Sequence, residues 1–501
     1  GSEMCIRDRT SILILFQFII SCNSSIDREI QRPNFIIFIA DDISWDDIGA
    51  YGNEFVSTPN IDNLAKEGLI FNNMYLTTSS CSPSRNSIMT GRYPHNHGAP
   101  ELHTQPPMGM KTFAEELNSS GYYTVSSGKW HIGDYARPGF DVIHEGIDLV
   151  GLGGEDQWVN ILTDRPKDKP FFIWAAAHDP HRDWAENDFS GTHKLDDIIV
   201  PDYLIDDLQT RQDLAHYYDE IKRFDYFIGE VISKLKDQNV YDNTILMIMS
   251  DNGRPFPHSK TRLNDQGVKT PFIFVYNDEK ILGKTESLVS VIDIAPTILD
   301  YAGIDIKENF QGKSFRKLLK NPDEKFRNYV FAEHNWHDYE SHQRMVKNED
   351  YMLIQNNRNE FPQAGPLDAI NSSTYASLLE KNNLGEITEV QGEIFDSPRL
   401  EEEFYVLKND LFQRKNLIDD DKLNEEINNL RLILNRWKSE TGDSQPEEIT
   451  KDWYLRTPGP IETRNNLGKS IDLVKTKNHG IRGEFPGSSN NATENNNKGP
   501  F

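Results

Sequence analysis

Asn34–Ala40 reads NFIIFIA and runs straight into Asp41-Asp42. After its first residue the run has no polar side chain, so it predicts a short strand buried on both faces, the kind found inside parallel sheets. Three further runs share the pattern: Pro170–Ala177 (PFFIWAAA), Thr244–Ser250 (TILMIMS) and Pro271–Tyr276 (PFIFVY). The run ending at Ser250 leads into Asp251-Asn252. Helical patterns lie between them. Thr58-Pro59-Asn60 opens one that runs through Leu64 to Gly68. A long one spans about 206–236, with Leu214, Tyr218, Ile221, Phe224, Ile228, Val231 and Leu235 on one face. Strands alternating with helices predict a doubly wound α/β fold, a large mixed or parallel sheet flanked by helices, over residues 33–325.

A smaller unit is expected over residues 326–445. Tyr329–Glu333, Tyr351–Gln355 and Glu403–Leu407 read as strands and Asp420–Glu440 as a helix, which makes a small antiparallel sheet with one helix. From 446 to 501 the periodicity is lost. The end, GSSNNATENNNKGPF, is polar and of low complexity, so this stretch is expected to be an extended or disordered tail. The 501 residues exceed what one ordinary core holds, in keeping with two domains.

Acidic residues outnumber basic ones by 79 to 53, a net charge of −26. That argues against nucleic acid as a partner, because such binding needs a basic footprint. The same charge repels polyanions only over the screening length, so a local basic pocket can still hold one.

Residues 1–32 read as a leader and tether. Ile12–Ile20 is a short apolar run behind Arg7 and Arg9, below membrane-spanning length, and ends at Ser21-Cys22. Ile19-Ile20-Ser21-Cys22 resembles the lipobox of bacterial lipoproteins. It implies an exported chain, periplasmic or on the outer membrane of a bacterium, whose membrane link is a lipid anchor on Cys22. Residues 1–9 fit poorly as a native start and read as a tag or an assembly scar, which leaves Cys5 without weight. The third cysteine, Cys81, stands apart; no pair among the three suggests a disulfide framework.

Ligands of open α/β sheets bind beyond the carboxyl ends of the strands. Asp41-Asp42 and Asp251-Asn252 supply three carboxylates and an amide oxygen there, hard donors that suit Ca²⁺ or Mg²⁺ rather than zinc. One Asp-Asp pair alone reads as a helix cap or a solvated turn; two such pairs, each after a buried strand, bring the metal reading level with it. Cys81 opens Cys81-Ser82-Pro83-Ser84-Arg85 and continues as NSIMTGR to Arg92. Pro83 fits a first helical turn, which puts Cys81 at a helix N-terminus that favours anions. A lone cysteine is otherwise a small core hydrophobe.

C-x-P-S-R followed by x-x-x-x-T-G-R resembles the signature of the type I sulfatases of the alkaline phosphatase superfamily, and the resemblance extends over most of residues 33–440. Gly128-Lys129-Trp130-His131-Ile132-Gly133 and Glu403-Phe404-Tyr405 through Asn416-Leu417 look like later family elements. His178-Asp179-Pro180-His181-Arg182, Ser250–Lys260 and Trp437–Thr441 resemble the heparan N-sulfatase (sulfamidase) branch. Trp130 and Lys260 stand where relatives carry other aromatic or basic residues, and the 334–344 loop does not align.

The resemblance implies a sulfuric ester hydrolase. A maturase would convert Cys81 to formylglycine, the nucleophile, beside Ca²⁺ held by Asp41, Asp42, Asp251, Asn252 and the modified Cys81. Arg85 would hold the nucleophile and the carboxylates, and Lys129 and Lys260 would clamp the sulfate oxygens. Asp251 would double as a base, His181 would protonate the leaving group, and His131 would be the base of the second half-reaction. Asp179, Arg182, His334, His337, Asp338 and Arg344 are expected substrate contacts; a solvated polar loop is the alternative for the last four. The implied substrate is a sulfated glycan, either heparan N-sulfate or the O-sulfates of algal polysaccharides such as ulvan or fucoidan. The alternatives are a phosphodiesterase or phosphonate hydrolase of the same superfamily and a catalytically dead glycan-binding protein.

Overall fold

The central strand of the computed structural model is Asn34–Ala40 itself, and all seven residues are buried. Its side chains alternate between two cores, as strand geometry requires. Phe35, Ile37 and Ile39 pack with Phe172, Trp174, Ile245 and Met247. Ile36 and Phe38 face the other way, against Ile173, Ile248 and the long helix Leu208–Asp237 through Ile221, Phe224 and Ile228. The run is apolar throughout because neither face meets water.

The structure describes residues 32–446 except 185 and 364, together with 450–456, 475–479 and 495–501. The leader, with Cys5 and Cys22, lies outside the described residues. Among these, no helix is long and apolar enough to cross a membrane. The main sheet has eight strands, in the order Gly283–Thr285, Leu69–Phe71, Phe272–Val275, Thr244–Ser250, Asn34–Ala40, Phe171–Ala176, Tyr123–Gly128 and Val142–His144. From Thr244–Ser250 to Val142–His144 the neighbours are parallel. Phe272–Val275 corrects the expectation of a fourth parallel strand, because it runs antiparallel to both its neighbours. An apolar run fixes burial and leaves strand direction open.

The second sheet is antiparallel, with strands Val330–Trp336, Glu340–Lys347, Tyr351–Asn356 and Glu402–Val406. The helix Asn424–Thr441 covers it, packing Ile427, Leu430, Leu434 and Trp437 onto Phe331, Val346, Leu353 and Phe404. Glu340–Lys347 was not expected. Its sequence, ESHQRMVK, is mostly polar, yet all eight residues are buried. Polar partners make that possible: Arg344 pairs with Asp443 and Lys347 with Asp265.

The described parts of the tail are irregular but packed. Trp453 stacks edge-on against Trp336, with ring centroids 4.9 Å apart. Asn495 O accepts a hydrogen bond from Arg92 at 2.8 Å, and Arg327 lies over the Phe501 ring. Asparagines of low sequence complexity thus serve as partners for buried donors.

Phe38 is fully buried at the centre of this scaffold. Phe38→Ala should cost about 3–5 kcal/mol by removing buried surface and leaving a cavity. The shift in urea midpoint measures it, and a loss below about 1 kcal/mol would contradict the placement of this strand.

Candidate active site

The register of the two central strands decides where the acidic residues meet. Ala40 pairs with Ser250, so Asp41 and Asp251 leave the sheet side by side at its carboxyl edge. Asp41, Asp42, Asp251 and Asn252 are all fully buried. Asp42 takes a left-handed backbone conformation, φ 80°, which turns it back over the strand ends. Its N–H donates to Asp251 Oδ1 at 3.2 Å, and Asn252 Nδ2 donates to Asp42 Oδ1 and, at 3.0 Å, to Asp251 Oδ1.

Cys81 is the first residue of the helix Cys81–Thr90, which Gly91 closes at φ 62°. Its Sγ lies 3.8 Å from Asn252 Nδ2. One ligand atom from each of Asp41, Cys81 and Asp251 lies within 4.8 Å of the others. Burial pushes the Cys81 thiol up to about 12, so the unmodified side chain is a neutral thiol.

Three cations surround the acids. Arg85 Nε donates to Asp251 Oδ2 at 2.7 Å, Nη1 donates to the Lys129 carbonyl at 3.1 Å, and Nη2 lies 3.7 Å from Asp41 Oδ1. Lys129, just past Tyr123–Gly128, pairs with Asp41 Oδ2. Lys260 Nζ donates to Asp42 Oδ2 at 2.7 Å and to Asp368 Oδ2 at 2.9 Å. Burial works to raise Asp41, but Lys129, His181, Arg85 and Lys260 together hold it well below the usual carboxylate range. Burial wins at the other two, with Asp42 at about 7 and Asp251 at about 6. Asp41 Oδ1 and Asn252 Oδ1 are buried and receive no hydrogen bond. Two oxygens without donors, in a nest of hard oxygen ligands, fit a bound Ca²⁺.

Above the nest opens a cavity of about 790 Å³. Asp41, Cys81, Lys129, His131 and His181 border it, with Trp130, Trp184, Leu102, Ile147 and Leu152 as apolar walls. His181 Nδ1 faces the Arg182 carbonyl, which only accepts, so Nδ1 carries hydrogen and Nε2 is the exchanging nitrogen. Burial, then Lys260, brings His181 down to about 4, against the pull of Asp41 and Asp368. His131 Nε2 shares a 2.7 Å hydrogen bond with His103 Nδ1. His103, His131 and Thr261 join Asp42 in positive-φ conformations around the site.

The expected substrate contacts separate into three groups. His337 and Asp338 border the cavity. Asp179 and Arg182 also border it, but their charges are engaged: Asp179 with Arg223, and Arg182 with Asp213 through two hydrogen bonds of 2.7 and 2.8 Å. His334 and Arg344 do not line the cavity. His334 borders a separate small void, and the fully buried Arg344 donates to Asp443 at 2.6 and 2.7 Å. The 334–344 region forms two paired strands, and neighbours on a strand point to opposite faces. Lys260 is likewise buried below the cavity rather than lining it. Sequence reasoning missed Asp368, Asn371, His103 and His178, all of which border the cavity. His178 lies within a motif that singled out its neighbours; Asp368, in PLDAI, follows neither a strand nor a second acid.

The sulfatase family model matches residues 33–150 and 155–304, more than half of the chain. The chain belongs to the sulfatase family. A second model, N-sulphoglucosamine sulphohydrolase, C-terminal, matches residues 258–362 of this sulfatase. An ulvan-active sulfatase of Formosa agariphila is 28% identical over 482 residues, covering 86% of this chain and 79% of the relative. Human N-sulphoglucosamine sulphohydrolase is also 28% identical over 482 residues, covering 86% of this chain and 94% of its own. Among solved structures, one in complex with its substrate D-glucosamine-2-N,6-O-disulfate superposes with a TM-score of 0.62 at 21% identity, covering 82% of this chain and 98% of the other. The sulfatase is therefore a sulfuric ester hydrolase with the sulfatase fold.

Arg344→Ala should strip a buried carboxylate of its partner and cost about 3–5 kcal/mol. The folded remainder should keep the wild-type KM. A raised KM at unchanged melting temperature would instead make Arg344 a substrate contact.

Proposed function

We propose that this sulfatase removes sulfate from a sulfated glycan, using formylglycine formed at Cys81 and a Ca²⁺ ion held by Asp41, Asp42, Asp251 and Asn252. The observation that carries the reading is the meeting of Cys81 with Asp41, Asp251 and Asn252 at the cavity floor. The names of the ulvan-active and N-sulphoglucosamine relatives support a sulfated sugar as substrate. So does the cavity, whose volume is typical of ligand pockets and whose walls mix apolar rings with a few charged groups. The modification makes a maturase a partner of the newly made chain. Residues 12–22 support export with a lipid on Cys22.

When present, formylglycine supplies a hydroxyl nucleophile from its hydrate, and calcium a fixed positive charge beside it. The chain's own side chains do the rest. Lys129, on the cavity wall, holds a sulfate oxygen, and Arg85 locks Asp251 and Asp41 in place. Asp251 lies within 4.8 Å of the Cys81 side chain and can accept a proton from a hydroxyl there. His181 Nε2 gives a proton to the leaving atom as its bond to sulfur breaks. An anionic sulfate beside this ring favours its protonated form. His131, coupled to His103, serves as the base of the second half-reaction. His337 and Asp338 reach the cavity from the second sheet and touch the sugar. Lys260, tied to Asp42 and Asp368, acts from below the cavity.

Mass spectrometry of the peptide holding Cys81 should find formylglycine when the chain is made with a maturase. An ordinary thiol throughout an active preparation would overturn this mechanism. A second test uses the leaving group. His181→Ala should lose more kcat on a sulfated sugar than on 4-nitrophenyl sulfate, because a sugar alkoxide needs the proton and a nitrophenolate hardly does. Equal losses on both would remove His181 from the acid role.

A further inference from the structure

Asp368 comes to the active site from the stretch between the third and fourth strands of the second sheet, on the short helix Leu367–Ile370. It is held at several points. Leu367 N donates to Asp338 Oδ2 at 2.8 Å, which ties the turn to the cavity rim. Ala369 N donates to Asp368 Oδ1 at 2.6 Å, which fixes the rotation of the carboxylate. That leaves Oδ2 facing the site, where it accepts from Lys260 Nζ at 2.9 Å and lies 3.5 Å from His181 Nε2.

The other carboxylate beside His181 Nε2 is Asp42, at 3.9 Å, and it belongs to the metal nest. His181 Nδ1 is engaged with the Arg182 carbonyl. Asp368 Oδ2 is therefore the nearer carboxylate to the exchanging nitrogen, and it lies outside the proposed Asp41, Asp42, Asp251 and Asn252 set. The same oxygen restrains Lys260. An ammonium has three N–H groups; Asp42 and Asp368 occupy two and leave one for a third partner.

We propose that Asp368 is a positioning residue for desulfation: its Oδ2, anchored by the Lys260 ammonium, orients the His181 ring on the leaving-group side of the cavity. The inference rests on the reading of His181 as the proton donor, and the test separates the two. Wild type, D368N, D368E, H181A and D368N/H181A are compared as calcium-loaded, formylglycine-bearing enzymes on aryl sulfates whose phenols rise in pKa from 4-nitrophenol to phenol. Melting temperatures are measured alongside. D368N keeps the side chain's shape; should it fail to fold, D368E and its double variant with H181A carry the same comparison.

D368N should lower kcat on phenyl sulfate by about tenfold to a hundredfold, the range typical of residues that orient functional groups. The loss on 4-nitrophenyl sulfate should be smaller, and KM should change little. D368E should restore part of the rate. The double variant should be no slower than H181A, because Asp368 acts through that ring. A uniform loss across the panel, or an additive loss in the double variant, overturns the inference while leaving His181 in its role. If H181A itself shows no leaving-group dependence, the proton-donor reading falls and this inference with it.

Discussion

Three carboxylates buried at the ends of two adjacent parallel strands repel one another, and the arrangement around them answers that repulsion. The Ala40–Ser250 register forces the closeness of Asp41 and Asp251; it is not a choice of side-chain rotamer. Like charges a few ångströms apart out of water are strongly unfavourable without counter-charge. Arg85 arrives from a helix, Lys129 from a strand end and Lys260 from the loop after Asn252. Even so, burial leaves Asp42 and Asp251 raised, and two oxygens of the nest receive no donor. A divalent cation beside Cys81, as proposed, would complete this set of charges.

The two sheets divide the work. The large sheet carries the nest, Lys129 and the histidine loops at its carboxyl edge, while the helix from Cys81 sets the cavity floor. The second sheet adds His337, Asp338 and, through the stretch between its third and fourth strands, Asp368. Buried polar pairs join these parts: His95 N donates to Glu333 Oε1 at 2.7 Å, and Asn96 Nδ2 to the Thr441 carbonyl at 2.8 Å. Such contacts fix how the second sheet and its helix sit against the segment that follows the Cys81 helix.

Much of this was legible in the sequence where apolar periodicity or a dense motif carried it. Asn34–Ala40 and Thr244–Ser250 were bounded to the residue, and the seven apolar positions of the long helix are all buried. The acidic pairs announced themselves by following such strands. The direction of Phe272–Val275 was hidden, because burial does not encode it. Glu340–Lys347 was hidden because its buried faces are polar, matched by partners such as Asp443 and Asp265 that lie far away in sequence. For the same reason Arg344 read as a contact for substrate when its partner is internal. Asp368 carried no local signal at all; only the folded chain brings it to Lys260 and His181.

The most direct measurement of the central claim is the metal content of active enzyme purified without added chelator. Oxygen-only donors beside Cys81 predict one calcium per chain. They also predict a melting temperature that falls on chelation and recovers with calcium, since an ion bound only to the folded state stabilises it by mass action. Active protein carrying stoichiometric zinc, or full activity and unchanged stability after exhaustive chelation, would contradict the account.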